Sequence, residues 1–215
     1  MRLVTGLGAV AAAIVLAGCA STQRVLEEAA GEVVGVRTDA SELKQNMREL
    51  WAEHVLYTRG YIVAATSNDP SASAVATRLL KNQEDLGNAI VPYYGAEAGA
   101  KLTSLLKDHI NIAVDLVGAA KANDKTKLAS ADARWKANAS DIATFLSGAN
   151  PNWPRQTLLN MLNEHLSLTT QEATARLERR WTDDVALFDR IFDQAMHMAD
   201  ALTDGIVKQF PGKFI

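Results

Sequence analysis

A single cysteine, Cys19, stands in a chain of 215 residues, which excludes an internal disulfide and any metal cluster built on thiolates. Basic charge is not in excess either. The chain carries 22 Lys and Arg against 25 Asp and Glu, and the part from Cys19 onward, which loses Arg2, carries 21 against 25, or −4. Such a surface has no stripe with which to track phosphates, so nucleic acid is excluded as a partner. There is no Gly-x-Ser-x-Gly, no phosphate loop and no Gly-x-Gly-x-x-Gly, so nucleophilic hydrolysis, nucleotide binding and dinucleotide cofactors find no support. No stretch alternates in the manner of a strand. What is present is 48% hydrophobic and 22% charged residues, enough for one compact domain with a sizeable core.

The first residues explain the lone cysteine. Met1 and Arg2 give a positive start, Leu3 to Val15 an apolar run too short for an ordinary transmembrane helix, and Leu16-Ala17-Gly18-Cys19 closes it. This resembles the signal of bacterial lipoproteins. The resemblance implies a leader over residues 1–18 cleaved before Cys19, whose sulfur carries a diacylglycerol, so that the membrane is a partner through the lipid. Ala20 in place of Asp implies, in a Gram-negative host, the periplasmic face of the outer membrane. Residues 19–38 then read as lipidated Cys19 and a tether that holds residues 39–215 off the head groups.

From Asp39 onward the pattern is helical. Met47, Leu50, His54, Tyr57 and Tyr61 step by three and four, and so do Leu102, Leu105, His109, Ile112 and Leu116, and again Leu158, Met161, His165 and Leu168. A shift of 56 maps the second set onto the third. The same shift takes Arg78, Asn82, Asp85 and Leu86 to Arg134, Asn138, Asp141 and Ile142, and then to Arg190, Gln194, His197 and Met198. A period of this length fits a helical hairpin. Breaks at Ser67 to Pro70, Ala122 to Asp124 and near Arg180 supply the tips. Turns at Pro92 to Gly95 and Asn150 to Pro154 join one hairpin to the next. The expected fold is all-α, an up-and-down bundle of about six helices built as three repeated helical hairpins.

Counting from the tips with equal rise per residue sets His54, His109 and His165 level with Asp85, Asp141 and His197, with Asn82, Asn138 and Gln194 one turn away. Two readings of this layer stand side by side. In one, the side chains hydrogen-bond one another and fix the register of the helices, and the protein is a structural or partner-binding lipoprotein with an envelope protein as partner. In the other, His54, Asp85, His109, Asp141, His165 and His197 ligate a transition metal (Zn, Fe, Mn, Ni or Cu), and Asn82, Asn138 and Gln194 orient the ligands from behind. A metal-dependent oxidoreductase on the same layer is a third reading. Against a di-iron centre, the chain has no Glu-x-x-His, and Thr58, Ala113 and Thr169 follow the three histidines at i+4. No residue is singled out as catalytic. Tyr93, Tyr94 and Trp153 at the connecting turns either form a contact patch or plug the end of the bundle.

The runs Asn88-Ala89-Ile90-Val91-Pro92-Tyr93-Tyr94-Gly95 and Gly205-Ile206-Val207-Lys208-Gln209-Phe210-Pro211 resemble those of exported all-helical bacterial proteins of unassigned activity. That resemblance, from about His54 onward, implies export and a helical fold. It implies no substrate.

Overall fold

A computed structural model of the chain describes residues 39–215; the leader, Cys19 and the tether lie outside the described residues. Six helices follow one another: α1 (Ala40–Thr66), α2 (Ala72–Ala89), α3 (Val91–Lys121), α4 (Lys125–Ala149), α5 (Arg155–Leu177) and α6 (Trp181–Gln209), with a short 3-10 turn at Pro211–Lys213. The fold is an all-α bundle. Each helix packs on the next, and α6 closes the ring against α1. The odd-numbered helices α1, α3 and α5 also touch one another across the middle. They form an inner triangle, with α2, α4 and α6 set in its outer grooves.

Local chemistry starts and stops these helices where the sequence says it should. Asp39 accepts a hydrogen bond from the Ser41 amide at 2.8 Å, and Asp124 accepts one from the Lys127 amide at 3.0 Å, each satisfying a donor that a helix start leaves free. At the three tips the chain passes through Asn68, Asn123 and Arg179, all at positive φ (59°, 53° and 59°). The next amide then folds back onto a buried alanine: Asp69 to the Ala64 carbonyl (2.9 Å), Asp124 to Ala119 (3.0 Å) and Arg180 to Ala175 (2.8 Å). This is the geometry of a Schellman stop. Asparagine enters that backbone region readily, and Arg179 does so at a cost of roughly 1 kcal/mol.

At the other end Asn150 to Pro154 is a turn as expected, whereas Pro92 to Gly95 differs. Pro92 to Tyr94 lie in a first helical turn of α3, and Gly95, at φ 84° and ψ 167°, breaks the helix between this turn and the rest of α3. Here the aromatic side chains plug the bundle. Tyr94 leans tilted against Trp153 and meets Phe210 edge to face, while Tyr93 stacks on Phe214. Asn150, fully buried, donates to the Tyr94 hydroxyl (2.8 Å), which donates in turn to Gln209 (2.8 Å). Close backbone approach needs two glycines on facing helices, since a Cβ on Gly87 would stand 2.7 Å from the Gly99 carbonyl oxygen. Among the described residues no helix is long and apolar enough to cross a membrane.

Candidate functional site

Because α1, α3 and α5 form the inner triangle, the histidine on each points into the core. His54, His109 and His165 are 3%, 4% and 3% exposed, and the rings of His54 and His165 lie 5.7 Å apart. The three come to one region, as the helical spacing predicts. Each is met by an amide side chain of the outer helix in its own hairpin. His109 Nδ1 lies 2.7 Å from Asn138 Oδ1, and Asn138 Nδ2 donates to the Leu105 carbonyl at 3.0 Å. His165 Nδ1 lies 3.0 Å from Gln194 Oε1, and Gln194 Nε2 donates to the Met161 carbonyl at 3.0 Å. A carbonyl only accepts, so in both cases the amide oxygen faces the ring and the proton sits on Nδ1. The tautomer that follows leaves Nε2 as a lone-pair nitrogen.

In the first hairpin the same clip uses two residues. Asn82 Nδ2 donates to the Leu50 carbonyl at 2.9 Å, but it is the neighbouring Gln83 whose Nε2 meets His54 Nδ1, at 3.3 Å. Gln83 also donates to Asn82 Oδ1 and to the Leu79 carbonyl, and its own Oε1 is buried without a partner. Gln83 was not among the expected site residues. Its fully buried position next to Asn82, one place off the seam, gives no periodic signal.

The outer members of the expected layer are elsewhere. Asp85 is half-buried and paired with Lys81 on its own helix, and Asp141 and His197 are exposed. The reason is the shape of the bundle: α2, α4 and α6 turn only a narrow stripe inward, at Asn82, Asn138 and Gln194. Asp85, Asp141 and His197, three residues further on, stand about 60° around the helix from that stripe, on its solvent side. Arg78 and Arg134 bond Glu53 (2.7 Å) and Asp115 (2.9 Å) rather than the aspartates. Among the described residues, no group of three or more His, Cys, Asp or Glu side chains is disposed to hold a metal ion.

Burial drives all three imidazoles toward the neutral form. It lowers His54 well below its ordinary pKa, reinforced by the nearby His165 and His109, and it lowers His165. Burial takes His109 down to about 4 against the opposing pull of the Asn138 bond. The layer is therefore polar and uncharged near neutrality. It walls a chamber of about 20 Å³, lined also by Thr58, Tyr61, Trp135 and Thr169. Toward the aromatic plug lies a second chamber of about 40 Å³, between apolar side chains such as Met47, Leu102 and Met198.

Nearer the tips lies a charged cluster absent from the sequence expectations. Arg59 of α1 donates to Glu172 of α5 and to Asp184 of α6 (2.9 Å), and Arg176 donates to Asp184 at 3.0 Å. Glu172 and Asp184 are each 1% exposed. Burial raises the Glu172 carboxyl to about 7 despite Arg59 beside it. A signal for both acids existed. Glu172 continues the stripe Leu158, Leu162, His165, Thr169, and Asp184 begins the stripe Leu187, Ile191, Gln194.

Comparison with known proteins adds nothing to this geometry: no family model, curated protein or solved structure matches the chain.

Proposed function

We propose that this chain is a lipid-anchored binding protein of the cell envelope, three copies of one helical hairpin closed into a rigid module that meets an envelope protein partner through its outer surface. The observation that carries the reading is the clip between ring and amide. In the second and third hairpins one side-chain amide bonds the inward histidine and also reaches the carbonyl four residues before it, and in the first Gln83 and Asn82 divide the two contacts, so the layer ties inner helix to outer helix at a fixed register. Polar side chains consumed in this way hold shape, and they leave recognition to the exterior.

The anchor rests on Leu16-Ala17-Gly18-Cys19 and on the tether after it. Chain direction supports a division of labour. α1 begins at the end of the bundle that holds the connecting turns, and its 27 residues carry the tips at Asn68, Asn123 and Arg179 about 40 Å from that end. Trp181 and Val185, both about half exposed at that far end, are then available to a partner in the envelope.

Two measurements test the reading. Cells fed labelled palmitate should label the wild-type protein and not Cys19→Ala, and globomycin should cause precursor to accumulate; an unlabelled, globomycin-insensitive protein overturns the anchor. A photo-cross-linking residue at position 181 should give one discrete envelope adduct that the same residue at Asp141 does not give. Identical adduct patterns from both positions overturn the assignment of the far end.

A further inference from the structure

The clips act within single hairpins, and the chamber of the histidine layer lies where the three hairpins meet. Its hydrogen bonding is unfinished. Thr169, 4% exposed, has its Oγ1 without a partner, and so has Trp135, 2% exposed, at its Nε1, although both line this space. A threonine inside a helix commonly turns its hydroxyl back to the carbonyl four residues earlier, as Thr58 does to His54 (2.7 Å) and Thr203 to Ala199 (2.8 Å). Thr169 makes no such bond to His165. Buried polar groups in folded proteins are almost always paired, with protein or with ordered water, so these two donors call for a partner that the chain itself does not supply.

The histidines supply the complementary acceptors. His109 and His165 hold their protons on Nδ1, toward the clips, and so leave Nε2 on the other side of the ring as a lone-pair nitrogen. The partner must therefore both accept and donate. It must also be neutral, since no Asp or Glu lines the chamber to balance a cation and the indole N–H repels one. Size completes the description: one water needs about 10 to 15 Å³ of such space, and the chamber offers about 20 Å³.

We propose that the chamber is a hydration site for one structural water, which accepts from the Trp135 indole N–H, donates to Nε2 of His109 and of His165, and takes its fourth bond from the Thr169 hydroxyl. Two lone pairs and two protons are then all used. Trp135 and His109 belong to the second hairpin, and His165 and Thr169 to the third. The water therefore does between hairpins what the amide clips do within them. It rests on neither the lipid anchor nor an envelope partner.

The test is nuclear magnetic resonance on the full-length, nitrogen-15-labelled protein in detergent micelles. The indole proton of Trp135 should show a cross-peak at the water frequency, with the nuclear Overhauser sign of a long-lived bound molecule. Thr169→Ala removes the hydroxyl proton that could relay such a peak by exchange with solvent, and it should keep the peak. Nitrogen spectra of the imidazoles should show His109 and His165 protonated at Nδ1, with Nε2 shifted as a hydrogen-bond acceptor is. A Trp135 indole proton with no water cross-peak, a peak that vanishes in Thr169→Ala, or either histidine protonated at Nε2 overturns the proposal. A crystal structure with well-resolved waters elsewhere and an empty chamber does the same.

Discussion

Asn138 bonds His109 at 2.7 Å inside the core and at the same time reaches the Leu105 carbonyl at 3.0 Å, so one side chain bridges one turn of the facing helix. A buried acceptor that loses its partner costs about 1–3 kcal/mol, whereas removal of both partners is far milder. Asn138→Leu should therefore lower stability by roughly 2 kcal/mol, and His109→Leu by a similar amount. The double variant should be less destabilised than the sum of the two by about 1 kcal/mol or more. Urea unfolding of the four proteins checks this, and strict additivity would show that the bond contributes nothing of its own.

Stability should fall on acidification, and the sign follows from burial. Histidines held neutral in the folded state titrate at about 6.5 once unfolded, so the unfolded chain binds more protons as pH drops from 6.5 toward the folded value near 4 given for His109. That residue alone accounts for roughly 3 kcal/mol across this window. Glu172 works in the opposite sense. With a folded pKa of about 7 it holds its proton while the unfolded carboxyl releases it, so its contribution is greatest at low pH and fades as pH rises through 7. Three histidines outweigh one glutamate. The melting temperature should drop between pH 6.5 and 4, and more steeply in Glu172→Gln, which lacks the opposing group; a flat profile would refute the assignment.

The sequence made the helices legible because core-facing residues recur at three and four, and the first two tips because Asn68-Asp69-Pro70 and Asn123-Asp124 interrupt that recurrence, whereas the third, at Arg179, carries no such pair. His54, His109 and His165 were legible for the same reason, as were Asn82, Asn138 and Gln194. Asp85, Asp141 and His197 were misplaced because level along the axis says nothing of rotation about it. Gln83 was hidden because the first hairpin divides between two neighbours a task that Asn138 and Gln194 perform alone. Arg59, Glu172 and Asp184 went unread because charge at the end of a stripe looks like solvent exposure, until α1, α5 and α6 are seen to converge there.

Trp153 brings the nitrogen side of its indole against the backbone at Gly205, with Nε1 donating to the Ala201 carbonyl at 3.3 Å. A Cβ added at Gly205 would stand 1.9 Å from that nitrogen. The indole is 4% exposed and has nowhere to retreat without opening the plug formed with Tyr94. Gly205→Ala should cost about 3 kcal/mol or more, beyond the small gain alanine brings to a helix. Gly118→Ala, whose Cβ would meet nothing within 4 Å, serves as control and should be neutral or stabilising. Equal unfolding midpoints for the two variants would contradict the packing described.

Arg59 is the cation on which both buried acids depend, since it bonds Glu172 and Asp184 together, whereas Arg176 bonds Asp184 alone among them. Replacing it with methionine keeps most of the apolar stem and removes the guanidinium, which lies 4.7 Å over the Phe188 ring. A buried ion pair broken on one side costs on the order of 3–5 kcal/mol, because the remaining charge is stranded in a poor solvent. Glu172 has an escape: with its pKa already near 7, it takes up a proton. Arg59→Met should thus be strongly destabilised at pH 8 and noticeably less so at pH 5.5, and adding Glu172→Gln should restore part of the loss at pH 8. Denaturant midpoints at the two pH values decide the matter, and a loss independent of pH would place the cost on Asp184 instead.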